Sequence, residues 1–432
     1  MNQIFITLSF LMLIHIAVGQ NSIEYIIASE NNDWCHSTFE AHGYTFILGS
    51  TNSNNNLGIL SNGFIGRFSK GSDLYSKEVI KPDTAVAFFY GTQKDSSNIL
   101  IIGSTMNTSH FNLLIMEFSF ELELISEQYH DIVPSDYDNF AIFDMTVDNN
   151  NHCVLAGRFD NINSPNGHCL LLIKLDMDGN LLFLNYIDNN VMVNGRWRAD
   201  LLAKPDTTGY YYFGGGSYAW VEIDTNLAYV DGGYFNNYPY TLGSAVSAKY
   251  MPNGNLIFSS VCNYDSYYYD LNITVYNNQL LYIKDTIIEE EGRQCPAIGK
   301  GIDFTDPNNI WVVAHNDWFA PTGNLETYKL YIFDSSLKVI GSKYYGGDQD
   351  YNFYHLLATS DGGCVISGFI LQEEGTLLRD IFIKKIFPED IITGNDENTF
   401  SEFKDVLVGP NPVKDYLFLK ADRKGLSMNL YS

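Results

Sequence analysis

Basic residues are scarce in this 432-residue chain: Lys and Arg number 25 against 51 Asp and Glu, a formal charge of -26. A chain so negative repels a phosphate backbone or an anionic lipid surface, which argues against nucleic acid as a partner. Charged residues of both signs make up only 18%, and no sustained helical periodicity follows the first twenty residues, which argues against a helical bundle. C-x-x-C does not occur, and no two cysteines have zinc-site spacing. A Gly-rich phosphate loop, H-E-x-x-H, G-x-S-x-G and an EF-hand pattern are also missing, so the sequence gives no reason to expect a cofactor, a metal or a catalytic residue.

Long hydrophobic runs are lacking as well, apart from residues 4–18, IFITLSFLMLIHIAV, which are too few to span a bilayer comfortably. The run ends in Ala17-Val18-Gly19, a small-x-small site, and so reads as a signal peptide over 1–19, although Met1-Asn2-Gln3 carries no positive charge. The expectation is a mature chain, secreted or at the cell surface, with no further membrane span. The six cysteines, at 35, 153, 169, 262, 295 and 364, suit an oxidising compartment. Fifteen pairings are open to them, among which Cys262 with Cys295 is the one that the strand pattern below brings to one face.

What the chain does have is aromatic residues at 15%, 35 glycines and 30 tyrosines, a strand-and-turn composition. It also repeats. Short apolar runs recur as TFILG (45–49), ILIIG (99–103), CVLAG (153–157), YYYFG (210–214), NLIFS (255–259), WVVAH (311–315) and CVISG (364–368). Their last residues stand 54, 54, 57, 45, 56 and 53 apart, a spacing of propeller blades. Each copy has a tight turn before it, such as SDGG (360–363), and a third strand after it, such as LLLIKL (170–175). A second turn, clearest as DMDGN (176–180), then leads into a fourth strand. Seven copies imply an all-β, seven-bladed propeller of four-stranded antiparallel blades over residues 20–387.

Glycine closes five of the seven runs, which suggests crowding near the axis, while Ser259 and His315 depart from it. A lone histidine there reads as a packed core residue, since it brings no catalytic partner. The seventh copy has no fourth strand of its own. Residues 22–28, SIEYIIA, are the spare strand that would complete it and close the ring.

The stretch 343–369, with YGG at the end of a fourth strand and DGG before the next inner strand, resembles the blades of secreted propellers common in Bacteroidetes bacteria. Residues 388–403 are an acidic linker. Residues 404–432 open with a short strand, Pro410-Asn411-Pro412 and the alternating Tyr416-Leu417-Phe418-Leu419. This segment resembles the beginning of the C-terminal sorting domain of the type IX secretion system, a small β-sandwich, and is only a part of it. The resemblance implies the type IX machinery as a partner.

Fold does not select an activity. Asp176-x-Asp178-Gly179 is half of a calcium loop but sits where a hairpin turn is needed, and Glu289–Glu291 reads as a solvated loop. Asp136, Asp138, Asp348 and Asp350 fall in loops of one face and could converge as a carboxylate pair, without a local motif to assign them. Aromatic residues of that face are the stronger lead: Trp197, Tyr238, Tyr264, Tyr267, Trp318 and Tyr351 are the candidate ligand-binding residues, suited to sugar rings or a protein surface. The reading is an exported, non-catalytic binding propeller for a glycan or protein. A polysaccharide hydrolase or lyase, or a structural surface protein, are the alternatives.

Overall fold

Each apolar run forms the second strand of a four-stranded antiparallel sheet, flanked on both faces and therefore apolar throughout rather than alternating. The computed structural model describes residues 22–392 except 30–31, 54–60, 70–72, 82–83, 107–110, 133–139, 161–167, 188–198, 215–218, 236–240, 243–246, 266–267, 291–293, 298, 317–326, 347–349 and 372–377. Blade one comprises Asn32–Ala41, Tyr44–Ser53, Asn62–Phe68 and Tyr75–Val79. Blade two comprises Ala85–Gln93, Asn98–Met106, Phe111–Ser119 and Leu124–His130. Phe140–Val147, Cys153–Asp160, His168–Leu175 and Leu181–Ile187 make blade three. Ala199–Ala203, Gly209–Gly214, Ala219–Asp224 and Tyr229–Tyr234 make blade four.

In blades five and six the innermost strand is broken in two. Blade five has Thr241–Leu242 and Ser247–Tyr250 inside Leu256–Asp265, Tyr268–Tyr276 and Tyr282–Ile288. Blade six has Gln294–Pro296 and Ile302–Asp303 inside Ile310–Asn316, Thr327–Phe333 and Val339–Gly346. Blade seven takes Asp350–Ala358, Cys364–Leu371 and Arg379–Ile386 from one end of the propeller sequence, and its outermost strand, Ile23–Ile27, from the other. Tyr25 faces Ile383 in that register, and Lys384 reaches Glu24 at 2.8 Å. The ring is thus closed as the spare N-terminal strand suggests. A helical turn, Glu389–Ile392, follows.

The core is divided among seven seams, each an apolar cluster drawn from two neighbouring blades. Phe46 and Phe88 join blades one and two, Leu155 and Leu100 blades two and three, Tyr212 and Val154 blades three and four. Phe213 and Phe258 join four and five, Val312 and Ile273 five and six, and Trp311 and Phe353 six and seven. Ile47 and Ile383 close seven onto one.

Register revises two details of the repeat. Thr45, Ile310 and Cys364 each face the end of their third strand, at Phe68, Phe333 and Ile386. Counting four residues on from these gives Gly49, Ala314 and Gly368 as equivalents, and the same count from Leu256 gives Ser260. The blade-five and blade-six markers are therefore Ser260 and Ala314, not Ser259 and His315, and four of the six spacings become 54 residues. His315 lies one residue beyond, buried in the seam, where its Nε2 is 3.3 Å from the Phe353 amide.

The second revision concerns why glycine is there. Gly49, Gly103, Gly157 and Gly368 each pair with the innermost strand of their own blade beside a β-bulge. A Cβ on Gly103 would lie 2.2 Å from the Ala87 carbonyl oxygen, and one on Gly368 1.9 Å from that of Asn352. The crowding comes from the blade's own bulged strand rather than from convergence of neighbours.

Replacing Gly103 by Ala is expected to destabilise the chain by about 1–3 kcal/mol or more through this clash, read by urea melts. A variant as stable as the parent would refute the bulge as the cause. A chain starting at Asn32 leaves Arg379–Ile386 as an open edge, and is expected to melt several degrees lower and to self-associate, by differential scanning fluorimetry and light scattering. An unchanged melt would show that Ile23–Ile27 does not hold the ring.

Candidate functional site

Six blades place one polar side chain each on a common level around the axis, just after a bulge in blades one, two, three and seven. Ser37, Tyr90, Asp144, Asp200, Ser247 and His355 all lie opposite the residue just before the marker position, namely Leu48, Ile102, Ala156, Phe213, Ser259 and Ser367. Blade six fills its place differently. Its innermost strand opens between Pro296 and Ile302, and the detour carries Lys300 onto blade seven, where its amide donates to Tyr354 O (2.9 Å) and its carbonyl accepts from Leu356 (2.8 Å). Gly299 permits this approach, since a Cβ there would stand 2.4 Å from Tyr354 O.

Most of these groups clasp the next blade. Asp144 accepts the Leu201 amide at 2.7 Å, and Asp200 accepts that of Ala248. The Ser37 and Tyr90 hydroxyls donate to the Phe89 and Phe143 carbonyls. Asp303, two rows away in blade six, accepts the Ala358 amide at 2.8 Å. His355 Nδ1 is 2.8 Å from Thr38 Oγ1 across the closing seam. An innermost strand has no partner on its axial side, so these contacts satisfy backbone groups that would otherwise be stranded.

Electrostatics set the protonation pattern. Asp144 and Asp200 are 3% and 1% exposed. Burial, then the neighbouring Asp144 charge, pushes the Asp200 carboxyl well above the usual carboxylate range, and its proton is placed to bridge the two acids. Lys300 reaches across the axis to within 3.8 Å of Asp144, and chiefly that carboxylate holds its ammonium more firmly charged. Burial, assisted by Lys300, lowers His355 to about 3, and burial lowers His36 to about 4, so both rings are neutral.

Of the residues singled out from sequence, Trp197, Tyr238, Tyr267 and Trp318 lie outside the described residues, as do Asp136, Asp138, Asp348, Pro410, Asn411 and Pro412. Tyr264 belongs to the second strand of blade five rather than to a loop. Tyr351 is buried, at 7% exposure, because the innermost strand of blade seven already begins at Asp350; its ring packs on Phe353 and edge-on against Phe382. It belongs to the core and not to an exposed aromatic face. Asp176 caps its own turn, accepting the amides of Asp178 and Asn180 at 2.9 Å each, as a hairpin requires. Glu290 departs from the solvated-loop reading, since it accepts from Lys329 at 2.7 Å. Cys262 and Cys295 are both buried, on strands of neighbouring blades that touch. Among the described residues no cluster of three or more potential metal ligands occurs.

The axial acids Asp144, Asp200 and Asp303 and the Gly299-Lys300-Gly301 detour were missed from sequence. An aspartate inside a strand next to a buried run, as in FDMTV and RADLL, was the available signal.

No family model matches the chain, and neither does any curated protein. Solved structures similar to it include a protein of unknown function from Bacteroides caccae, 11% identical, with a TM-score of 0.42 over 69% of this chain and 93% of that one. A protein of unknown function from Dyadobacter fermentans is 9% identical, with a TM-score of 0.45 over 85% and 99%. The GH93 α-L-arabinofuranosidase of Fusarium graminearum, in complex with arabinobiose, is 10% identical, with a TM-score of 0.45 over 87% and 99%. Likeness at this level assigns this chain no activity.

The raised Asp200 carboxyl makes stability depend on pH in a definite sense. The folded chain keeps a proton that the unfolded chain releases above about pH 4, so this contribution is full below that pH and is lost as pH rises. Asp200→Asn retains an acceptor for Ala248 and a donor for Asp144. Its stability relative to the parent is expected to increase between pH 4.5 and pH 8, measured by chemical denaturation. A difference that stays constant across that range would show that Asp200 is not held protonated. His36 and His355 act oppositely, their contribution being full above about pH 6.5 and lost on acidification.

Proposed function

We propose that this chain is an exported binding propeller that recognises a glycan or a protein through the face formed by the second-to-third-strand loops and the blade-to-blade connections. One observation carries this reading over a hydrolase: the axial carboxylates are engaged in holding the ring together. Asp144 and Asp200 are nearly sealed from solvent, and each gives an oxygen to a neighbouring blade's amide. A pair of acids cleaving a glycosidic bond must flank it and reach the substrate, which carboxylates buried against neighbouring backbone amides do not.

Recognition then falls to the loop face, where the sequence sets Trp197, Tyr238, Tyr267 and Trp318. Flat aromatic rings supply large apolar area with two rotatable bonds each, suited to stacking on sugars or anchoring an interface. Export is supported by the apolar segment 4–18 with its small-x-small end. We further propose that 20–387 is the propeller, 388–403 a linker and 404–432 the beginning of a sorting domain read by the type IX machinery.

A glycan array probed with the chain tests the reading. Saturable binding is expected, falling at least about tenfold in Trp197→Ala or Trp318→Ala, with Asp200→Asn unchanged. Release of reducing ends from a bound polysaccharide, abolished by Asp200→Asn, would instead establish a hydrolase.

A further inference from the structure

At the loop end of the seam between blades seven and one, an arginine is held between aromatic rings with no acceptor for its hydrogens. Arg379 begins the third strand of blade seven, and its guanidinium carbon sits 4.1 Å from the centroid of Trp34 in blade one and 4.8 Å from that of Phe369. Trp34 meets Phe369 at 5.4 Å and Tyr354 at 6.2 Å, both edge-on, which fixes the cage. Arg379 Nε and Nη1 and Trp34 Nε1 are buried and have no hydrogen-bond partner. Arg379, Trp34 and Tyr354 are partly covered, whereas Phe369 is buried.

Such an arrangement is costly if left empty. A buried donor without an acceptor is destabilising, and more so when it is charged. A guanidinium stacked on aromatic faces is pre-organised, so little further freedom is lost when an anion arrives. Four lysines among the described residues are matched to acids: Lys174 to Asp148, Lys329 to Glu290, Lys385 to Asp361 and Lys249 to Asp303. In a chain with twice as many acids as bases, an arginine that pairs with no acid among the described residues is out of keeping with its surroundings.

We infer that Arg379 and Trp34 form the anion-binding subsite of the loop face, and that the ligand is a carboxylate-bearing saccharide of the uronic acid type. The carboxylate takes the guanidinium and indole hydrogens, in the charge-assisted geometry that arginine favours. The sugar ring lies against the exposed aromatic edges of the cage. This inference rests on the binding-propeller reading and narrows its ligand class.

D-Glucuronate and uncharged D-glucose are the probes, titrated calorimetrically into the full chain and into Arg379→Met, Arg379→Lys and Trp34→Phe. Glucuronate is expected to bind saturably and glucose not at all. Arg379→Met should weaken glucuronate at least about tenfold, with Arg379→Lys and Trp34→Phe intermediate and the thermal melts unchanged. Should Arg379→Met fail to fold, Arg379→Lys and Trp34→Phe decide the matter through the same comparison. Equal binding of both sugars, glucuronate affinity indifferent to all three variants, or no binding of glucuronate would overturn the inference. If the array detects glycans whose binding survives Arg379→Met, the propeller binds sugars but not through this subsite. If glucuronate binds and the array ligands are insensitive to Trp197 and Trp318, the subsite stands and the aromatic-loop reading fails.

Discussion

The unpaired inner edge of each blade is the constraint on which the rest of this structure depends. A four-stranded sheet set radially leaves one row of amides and carbonyls facing an axis too narrow for another strand. The solution is a side chain from the preceding blade: Asp144 for Leu201, Asp200 for Ala248, Asp303 for Ala358, with Ser37 and Tyr90 donating to carbonyls where the polarity is reversed. In blades one, two and three a bulge in the inner strand turns the clasping side chain toward the neighbour, while Asp200 and Asp303 clasp from strands without a bulge. The bulge in turn brings a carbonyl against the second strand, so only glycine, or a small residue, is tolerated there. In blades one, two and three, clasp, bulge and glycine are therefore one device, and the glycine is its visible mark in the sequence.

Acids suit this device because one carboxylate accepts two hydrogen bonds, but neighbouring acids at the axis repel. Two features offset the repulsion. Asp200 keeps its proton, and Lys300 is delivered across the axis from the blade whose inner strand is broken. The irregularity of blade six thus belongs to the same electrostatic arrangement, since a regular strand would leave no cation on that level. At the opposite end of the ring the turns are held by buried lysines: Lys174 and Lys385 each tie to an aspartate in their own blade's first turn, Asp148 and Asp361. Ends and axis are thereby fixed, which leaves the loop face as the part of the molecule whose sequence is least constrained by closure.

Blade number, strand order and ring closure by residues 22–28 were legible from sequence, because they follow from period, turn residues and one spare strand. What was not legible is instructive. The one-residue slips at Ser259 and His315 arose because the glycine was the ruler, and two blades lack it; the partner strand sets the true register. Third-to-fourth-strand turns were clearest where glycine marked one, at Gly179. Elsewhere a leucine adopts the left-handed conformation, as at Leu122, Leu227 and Leu337. That conformation costs a leucine about 1–2 kcal/mol, and burying the side chain in the adjoining seam returns about 1.5–3, so packing overrides local preference. Tyr351 was misplaced because a strand boundary three residues from a loop cannot be read from composition. The axial acids carry no local motif, since their neighbours are assembled from separate blades.

The position of Arg379 has a consequence for how the ring responds to a ligand. Arg379 belongs to the strand that pairs on one side with Cys364–Leu371 and on the other with the N-terminal strand Ile23–Ile27. Its cage is completed by Trp34, which reaches it only when blade one is docked on blade seven. The subsite therefore exists in the closed ring and not in a ring opened at this seam. Any ligand that binds one state and not the other stabilises the first in proportion to the logarithm of its concentration over its dissociation constant. Binding at this seam and closure of the propeller are the same equilibrium seen from two sides, and this is the seam where the outermost strand of blade seven, Ile23–Ile27, leads on in sequence to the innermost strand of blade one, Asn32–Ala41.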